Sequence, residues 1–237
     1  MKNFYVLEKK INELPSQVLK INLNSKAVKY SNIGAEYKEH YIKSILKELQ
    51  EADKSESLLH LEMVGTISEY LFEKLGRSSG EIKEAGLFAR LHDIGKIGIP
   101  QEILNKKGKL TLNEFQVVKT HTEIGYNLLK NLEVSEMGLN IIRFHHEKWA
   151  GNGYYGLRGT EIPEEARVVA VADVYDALRM ERPYKKPMSH KEAMDIILKD
   201  SGTHFDPELV GIFLENEKEI ERFYSIYNFP KLEKEIA

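Results

Sequence analysis

At Asp53, Thr111 and Ser189 a side chain able to cap a helix stands three residues ahead of a glutamate, Glu56, Glu114 and Glu192 respectively. In that spacing the two side chains satisfy backbone N–H groups that the first turn of a helix leaves open. Apolar residues then recur every three or four positions, as in Leu59, Met63, Ile67, Leu71 and Leu75, which predicts a helix over about 55–75 with Gly76 at its end. Further helices are predicted from Ser79 to Asp93 with a stop at Gly95, from Thr111 through Phe115, Val118 and Leu128, and up to Phe144-His145-His146. Three more follow, over 164–180, after the Ser189 box, and after Asp206-Pro207, where Pro takes the first helical position. The expected architecture is all-α, a bundle of about seven helices with a small N-terminal extension or subdomain.

At 237 residues, 42% of them hydrophobic, the chain is long enough to bury a real core. Residues 55–237 read as the main domain. Residues 1–54 read differently: Ile21, Leu23, Val28 and Tyr30 alternate around Asn24-Ser25 like a short hairpin, and Tyr37, Tyr41, Ile45 and Leu49 mark an amphipathic helix. The apolar face of 35–50 is explained by packing on the main domain or on a second copy, which would make a homodimer. The one long irregular piece is 147–163, with Gly151, Gly153, Gly156 and Gly159. A loop of that length in a compact helical chain is more often functional than filler.

No segment approaches the roughly 20 consecutive apolar residues of a spanning helix, and the start lacks the apolar block of a signal peptide, so a cytoplasmic protein with no membrane partner is expected. A net charge of -3 argues against an extended nucleic-acid surface. With no cysteine, any metal must be held by imidazole, carboxylate or water.

The chain has 8 His, and their positions carry the chemistry. Glu56 and His60 lie four apart on one helix face, a pair that by itself reads most often as a solvated surface pair and otherwise as a hydrogen-bonded core histidine. His92-Asp93 ends an apolar helix, where charge is costly unless paired or metal-bound. His121 falls in the third helix, His145-His146 end the fourth, and Asp173 interrupts the apolar run Val169-Ala-Val-Ala-Asp-Val. Each residue alone has a structural explanation. A metal cluster at the centre of the bundle would satisfy all of them together, because helical bundles build such sites from facing helices. An aspartate can bridge two cations, and such ions promote phosphoester hydrolysis.

His60, the doublet His92-Asp93 and the distal Asp173 resemble the pattern of the HD phosphohydrolase superfamily. The stretches HDIGKIGIP, HHEKWAGNGYYGLRGTEIP and DVYDALRMERPYKKPMS, with His121, resemble its HD-GYP subgroup. The resemblance covers about 55–215 and implies an HD-domain helical bundle that hydrolyses cyclic di-GMP to linear pGpG, and in some members to GMP, with a metal-bridging hydroxide. It implies two or three divalent ions, iron or manganese. His60, His92, Asp93 and Asp173 would hold one, His121, His145 and His146 a second with Asp93 bridging, and Glu56 would serve a third.

The resemblance further implies that Lys96, beyond a turn at Gly95, contacts a substrate phosphate, as do Arg182 and Lys185, and that Tyr154 lines the substrate site. Asp176 reads either as support for the ligands or as a helix-surface acid, and His204 as part of a structural turn. Two departures fall in the long loop: the subgroup's Gly-Tyr-Pro is Gly153-Tyr154-Tyr155, and the usual Asp after Trp149 is Ala150. They leave the metal ligands untouched and bear on substrate recognition or on docking of a diguanylate cyclase domain. Replacing Pro by Tyr155 restores an N–H and is expected to free the loop backbone. Besides the phosphodiesterase, two other functions fit: a catalytically weak module that senses or docks a cyclic dinucleotide, and a phosphohydrolase for another nucleotide.

Overall fold

The computed structural model describes residues 57–130, 134–180 and 186–226. The expected hairpin, the 35–50 helix, Glu56, Arg182 and Lys185 lie outside the described residues. Helix α1 (Leu58–Lys74) begins at Ser57, whose hydroxyl accepts from the His60 N–H. Its observed cap is therefore Ser57 rather than the Asp53–Glu56 box. α2 (Ser79–Arg90) is closed by Leu91, earlier than expected, so His92 and Asp93 sit in a turn that feeds a short 3-10 helix, Ile94–Gly98. A four-residue α3 (Gln101–Leu104) follows, which the periodicity did not show because it is too short to have one.

The Thr111 box opens α4 (Leu112–Lys119) as expected, but the helix breaks at Thr120 and α5 (His121–Lys130) starts anew. α6 (Glu136–Phe144) ends with His145 as its cap. α7 (Glu164–Arg179) is followed by α8 (His190–Lys199), α9 (Pro207–Glu215) and α10 (Glu217–Ile226). The Ser189 capping box and the Pro207 start both form, and α10 is an addition to the expected set. Among the described residues the one β-type pairing is an isolated bridge between Ser201 and Phe205. No described helix is long and apolar enough to cross a membrane.

The core is organised by α1 and α7. Val168 to Ala172 are buried consecutively, so α7 is covered on every side, as befits a central helix. It packs on α1, α6, α8 and α9, while α2 lies on α1 and α6, and α5 lies on the 3-10 turn. Across α1 and α2 the Arg90 guanidinium donates to Glu62 and Glu69, each at 2.7 Å. Gly65 lies directly beneath it, where a Cβ would come within 2.6 Å of the Arg90 side chain. Another small residue brings the ligand-bearing turn into the bundle. A Cβ on Gly95 would run into the His121 carbonyl oxygen and lie 2.5 Å from the Gly125 nitrogen. Gly95 is thus required for the close backbone approach of the 3-10 turn to α5.

Candidate metal centre

That approach brings Asp93 against α5. One oxygen of its carboxylate, Oδ1, lies 2.9 Å from Nε2 of His121 and 3.7 Å from Nε2 of His145. The other, Oδ2, lies 3.1 Å from Nε2 of His92 and 2.9 Å from the Lys96 ammonium. On the far side of His92, the Asp173 carboxylate of α7 lies 3.8 Å from its Nε2 and 3.4 Å from Nε2 of His60. Two groups of donor atoms result, Asp93 with His121, His145 and His146, and His60 with His92 and Asp173, each drawn together within 4.8 Å. Every expected ligand among the described residues is in one of them. The sequence placed them on helix faces or ends, with His92 and Asp93 at the end of a helix; the structure places those two in the turn after α2.

The backbone fixes how the rings face. Nδ1 of His92, His121 and His145 lies 2.8, 2.7 and 3.0 Å from the carbonyl oxygens of Ala89, Val118 and Ile141. Carbonyls only accept, so Nδ1 carries a proton and Nε2 is the atom left to present a lone pair. Those lone pairs converge on a carboxylate that also only accepts. His92 Nε2 and Asp93 Oδ1 are buried without a hydrogen-bond partner, a costly arrangement for polar atoms at such separations. A cation between them would reconcile acceptors that otherwise repel, and the imidazole–carboxylate set fits a divalent ion. The site could hold metal on this ground.

Protonating all the rings is no alternative. Burial, then the neighbouring imidazoles, hold His146 well below the usual histidine range, and burial holds His145 down as well. Burial also opposes charge on His92, yet the Asp93 and Asp173 carboxylates outweigh it and raise that ring to about 8. Against burial, which would raise it, Lys96, His92 and His121 keep Asp93 well below the carboxylate range. The centre is therefore built on two carboxylates held ionised, with the His145 and His146 imidazoles held neutral.

Tyr154 lies at the edge of this centre, its ring 4.6 Å from that of His146, with the Lys119 ammonium 4.6 Å from its face. The loop carrying it is held more firmly than expected. Tyr155 spends its N–H on the buried Glu147 carboxylate at 2.6 Å, and Leu157 donates to the other oxygen at 2.7 Å. The Tyr155 hydroxyl lies 2.8 Å from that of Thr122 on α5. Ala150 also takes a backbone role, donating to the Thr203 carbonyl at 2.9 Å. The sequence reading missed Glu147; an acid directly after the His doublet and before a glycine-rich loop was the available signal. Asp176, left open between two roles, is fully buried and lies 2.6 Å from Nδ1 of His60, on the side of the ring away from Asp173.

A helical bundle whose turn-borne His-Asp doublet meets a distal aspartate and further histidines defines a class of helical proteins built around a histidine–aspartate metal centre. The chain belongs to the HD-domain family, whose model, described as an HD domain, matches residues 37–209. It is 44% identical over 183 residues to a cyclic di-GMP phosphodiesterase of Thermotoga maritima, covering 76% of this chain and 50% of that protein. A probable cyclic di-GMP phosphodiesterase of Vibrio cholerae is 40% identical over 189 residues, covering 76% of this chain and 39% of that one. The chain therefore spans half or less of the length of these two relatives. Among solved structures, a cyclic GMP-AMP specific phosphodiesterase of Vibrio cholerae superposes with a TM-score of 0.60 at 22% identity, over 78% of this chain and 49% of that one, a likeness of fold.

Proposed function

We propose that this chain is a metal-dependent phosphodiesterase that opens cyclic di-GMP to linear pGpG, with divalent cations on either side of Asp93. The observation that carries this reading is the orientation of the Asp93 carboxylate, one oxygen toward His121 and the other toward His92, with Nδ1-protonated imidazoles turned to each. His60, His92 and Asp173 would hold one ion with Asp93 Oδ2, and His121, His145 and His146 the other with Oδ1. Glu56 would serve a third. Imidazole and carboxylate without thiolate suit iron or manganese. Bound there, such ions supply charge against the phosphoryl oxygens and acidify a water molecule.

The chain's own residues do the rest. Lys96 stands 2.9 Å from Asp93 Oδ2 at 13% side-chain exposure, so its ammonium is in reach of a phosphate entering the site. Arg182 and Lys185 add two cations for the second phosphodiester. Tyr154 packs its ring against His146 at the edge of the site. The names of the relatives at 40% and 44% identity support cyclic di-GMP as the substrate. The test is to load the purified chain anaerobically with Fe(II) or Mn(II), add cyclic di-GMP and follow products by chromatography. Appearance of pGpG, with or without GMP, is expected. Binding without turnover would assign a sensing or docking module instead, and turnover confined to another nucleotide would overturn the substrate.

A further inference from the structure

The family model ends its match at residue 209, and α10 begins at Glu217, beyond it. This last helix nevertheless reaches the metal centre. The Tyr224 hydroxyl donates to Asp176 Oδ1 at 2.6 Å, and Asp176 Oδ2 lies 2.6 Å from Nδ1 of His60. All three side chains are buried, with Tyr224 at 6% exposure, Asp176 at 0% and His60 at 3%. We propose that Tyr224 and Asp176 are positioning residues for His60, so that the hydrogen bond Tyr224 sends from α10 sets how tightly the His60, His92 and Asp173 group holds a cation. The inference rests on the metal reading of the site given above.

The chemistry follows from what each atom can do. An ionised carboxylate only accepts, so both short contacts place hydrogens on the Tyr224 oxygen and on His60 Nδ1. Nε2 of His60 is then a lone pair on the opposite side of the ring, the side on which Asp173 Oδ1 lies at 3.4 Å. The other tautomer would set a lone pair against the Asp176 carboxylate and point a hydrogen into the metal group. Tyr224 holds the carboxylate by its second oxygen, fixing its plane and hence the ring it orients. Partners of this kind typically change metal affinity by about 10–100-fold when removed.

α10 in turn is held by contacts that do not touch His60. The Tyr70 hydroxyl donates to Asn216 at 3.0 Å, and the Tyr70 and Phe223 rings meet edge to face at 5.4 Å. Arg179 lies over the Tyr224 ring at 4.7 Å, and the Tyr175 ring is 5.8 Å away. Removing only the Tyr224 hydroxyl keeps these packing contacts and cuts the link to the ligand. Removing the Tyr70 hydroxyl takes away one contact at the start of the helix and spares the link.

The experiment is a Mn(II) titration of the metal-free chain of residues 1–237, read by electron paramagnetic resonance, for wild type, Tyr224→Phe, Asp176→Ala and Tyr70→Phe. One class of bound Mn(II) should weaken about tenfold in Tyr224→Phe and up to about 100-fold in Asp176→Ala, with a second class and the Tyr70→Phe isotherm unchanged. In metal-free protein, 15N shifts should show His60 protonated at Nδ1 in wild type and as a tautomer mixture in Asp176→Ala. If Asp176→Ala fails to fold, Tyr224→Phe, which keeps its ring, decides the matter alone. Wild-type affinity in Tyr224→Phe, or an equal loss in Tyr70→Phe, would overturn the proposal. Metal bound by wild type without hydrolysis would sink the phosphodiesterase reading while the variant affinities still judge this one; no metal in wild type would sink both.

Discussion

Tyr155 donates its backbone N–H to the buried carboxylate of Glu147 at 2.6 Å, a bond that no proline at that position could make. The residue that departs from the Gly-Tyr-Pro pattern therefore ties down the loop instead of freeing it. Gly153 completes the arrangement, since a Cβ there would stand 2.5 Å from the Glu147 Cα. Tyr155→Pro is expected to destabilise the chain by about 1–3 kcal/mol, the cost of leaving a buried charged acceptor short of a donor. Metal content should be unchanged, because the ligands lie on other elements, while cyclic di-GMP turnover falls as Tyr154 loses its support. Urea unfolding and metal analysis of the variant check this; wild-type stability would show that the Glu147 bond contributes nothing.

Gly95→Ala should be more damaging than a surface glycine substitution. Its Cβ would meet backbone atoms of His121 and Gly125, which cannot rotate away. The 3-10 turn must then move off α5 and take Asp93 from His121. A loss of about 3 kcal/mol or more and weaker metal binding are expected, measurable by denaturation and by chelator competition. Gly108→Ala serves as the comparison, because nothing lies within 4 Å of its added Cβ and its cost comes from its positive φ alone.

Lys96→Ala should raise the KM for cyclic di-GMP and lower kcat/KM by roughly 30-fold, about 2 kcal/mol for a charge-assisted phosphate contact. Bound metal should stay near the wild-type level, since an ammonium is not a ligand. Steady-state kinetics with parallel metal analysis separate the two; an emptied metal site would contradict the phosphate role.

Burial, and then the Lys148 ammonium, push His204 down to about 4 from its ordinary 6.5. The unfolded chain takes up a proton there before the folded one does. The neutral side chain's contribution to stability is therefore intact above pH 6.5 and is lost as pH falls through about 4. In metal-free protein, wild type should lose more stability between pH 7.5 and pH 5 than His204→Gln, by urea denaturation. Equal losses would show that His204 is not held neutral by the fold.

Much of the centre was legible because its chemistry is rare in a helical core. His60, His92, His121, His145, His146, Asp93 and Asp173 each have a structural explanation singly, but so many polar side chains in an apolar bundle need a common partner, and their spacing set them on successive elements. The capping boxes at Thr111 and Ser189 likewise act through local contacts and so form as read. What escaped depends on contacts distant in sequence. Periodicity ran α4 and α5 together, because the break at Thr120 coincides with the approach of Gly95 to the His121 carbonyl. Glu147 and Asp176 look like ordinary acids until the loop folds over one and His60 turns to the other. Tyr224, 164 positions after His60, gave no local sign at all.

The most direct measurement is the metal content and cyclic di-GMP turnover of Asp93→Ala beside wild type, both reconstituted anaerobically with Mn(II) or Fe(II). A carboxylate that joins two groups of ligands has no substitute in an alanine side chain. The variant is predicted to lose at least one ion per chain and nearly all hydrolysis, while wild type holds two or more. An Asp93→Ala chain with full metal content and wild-type turnover would contradict the assignment of Asp93 as the bridge.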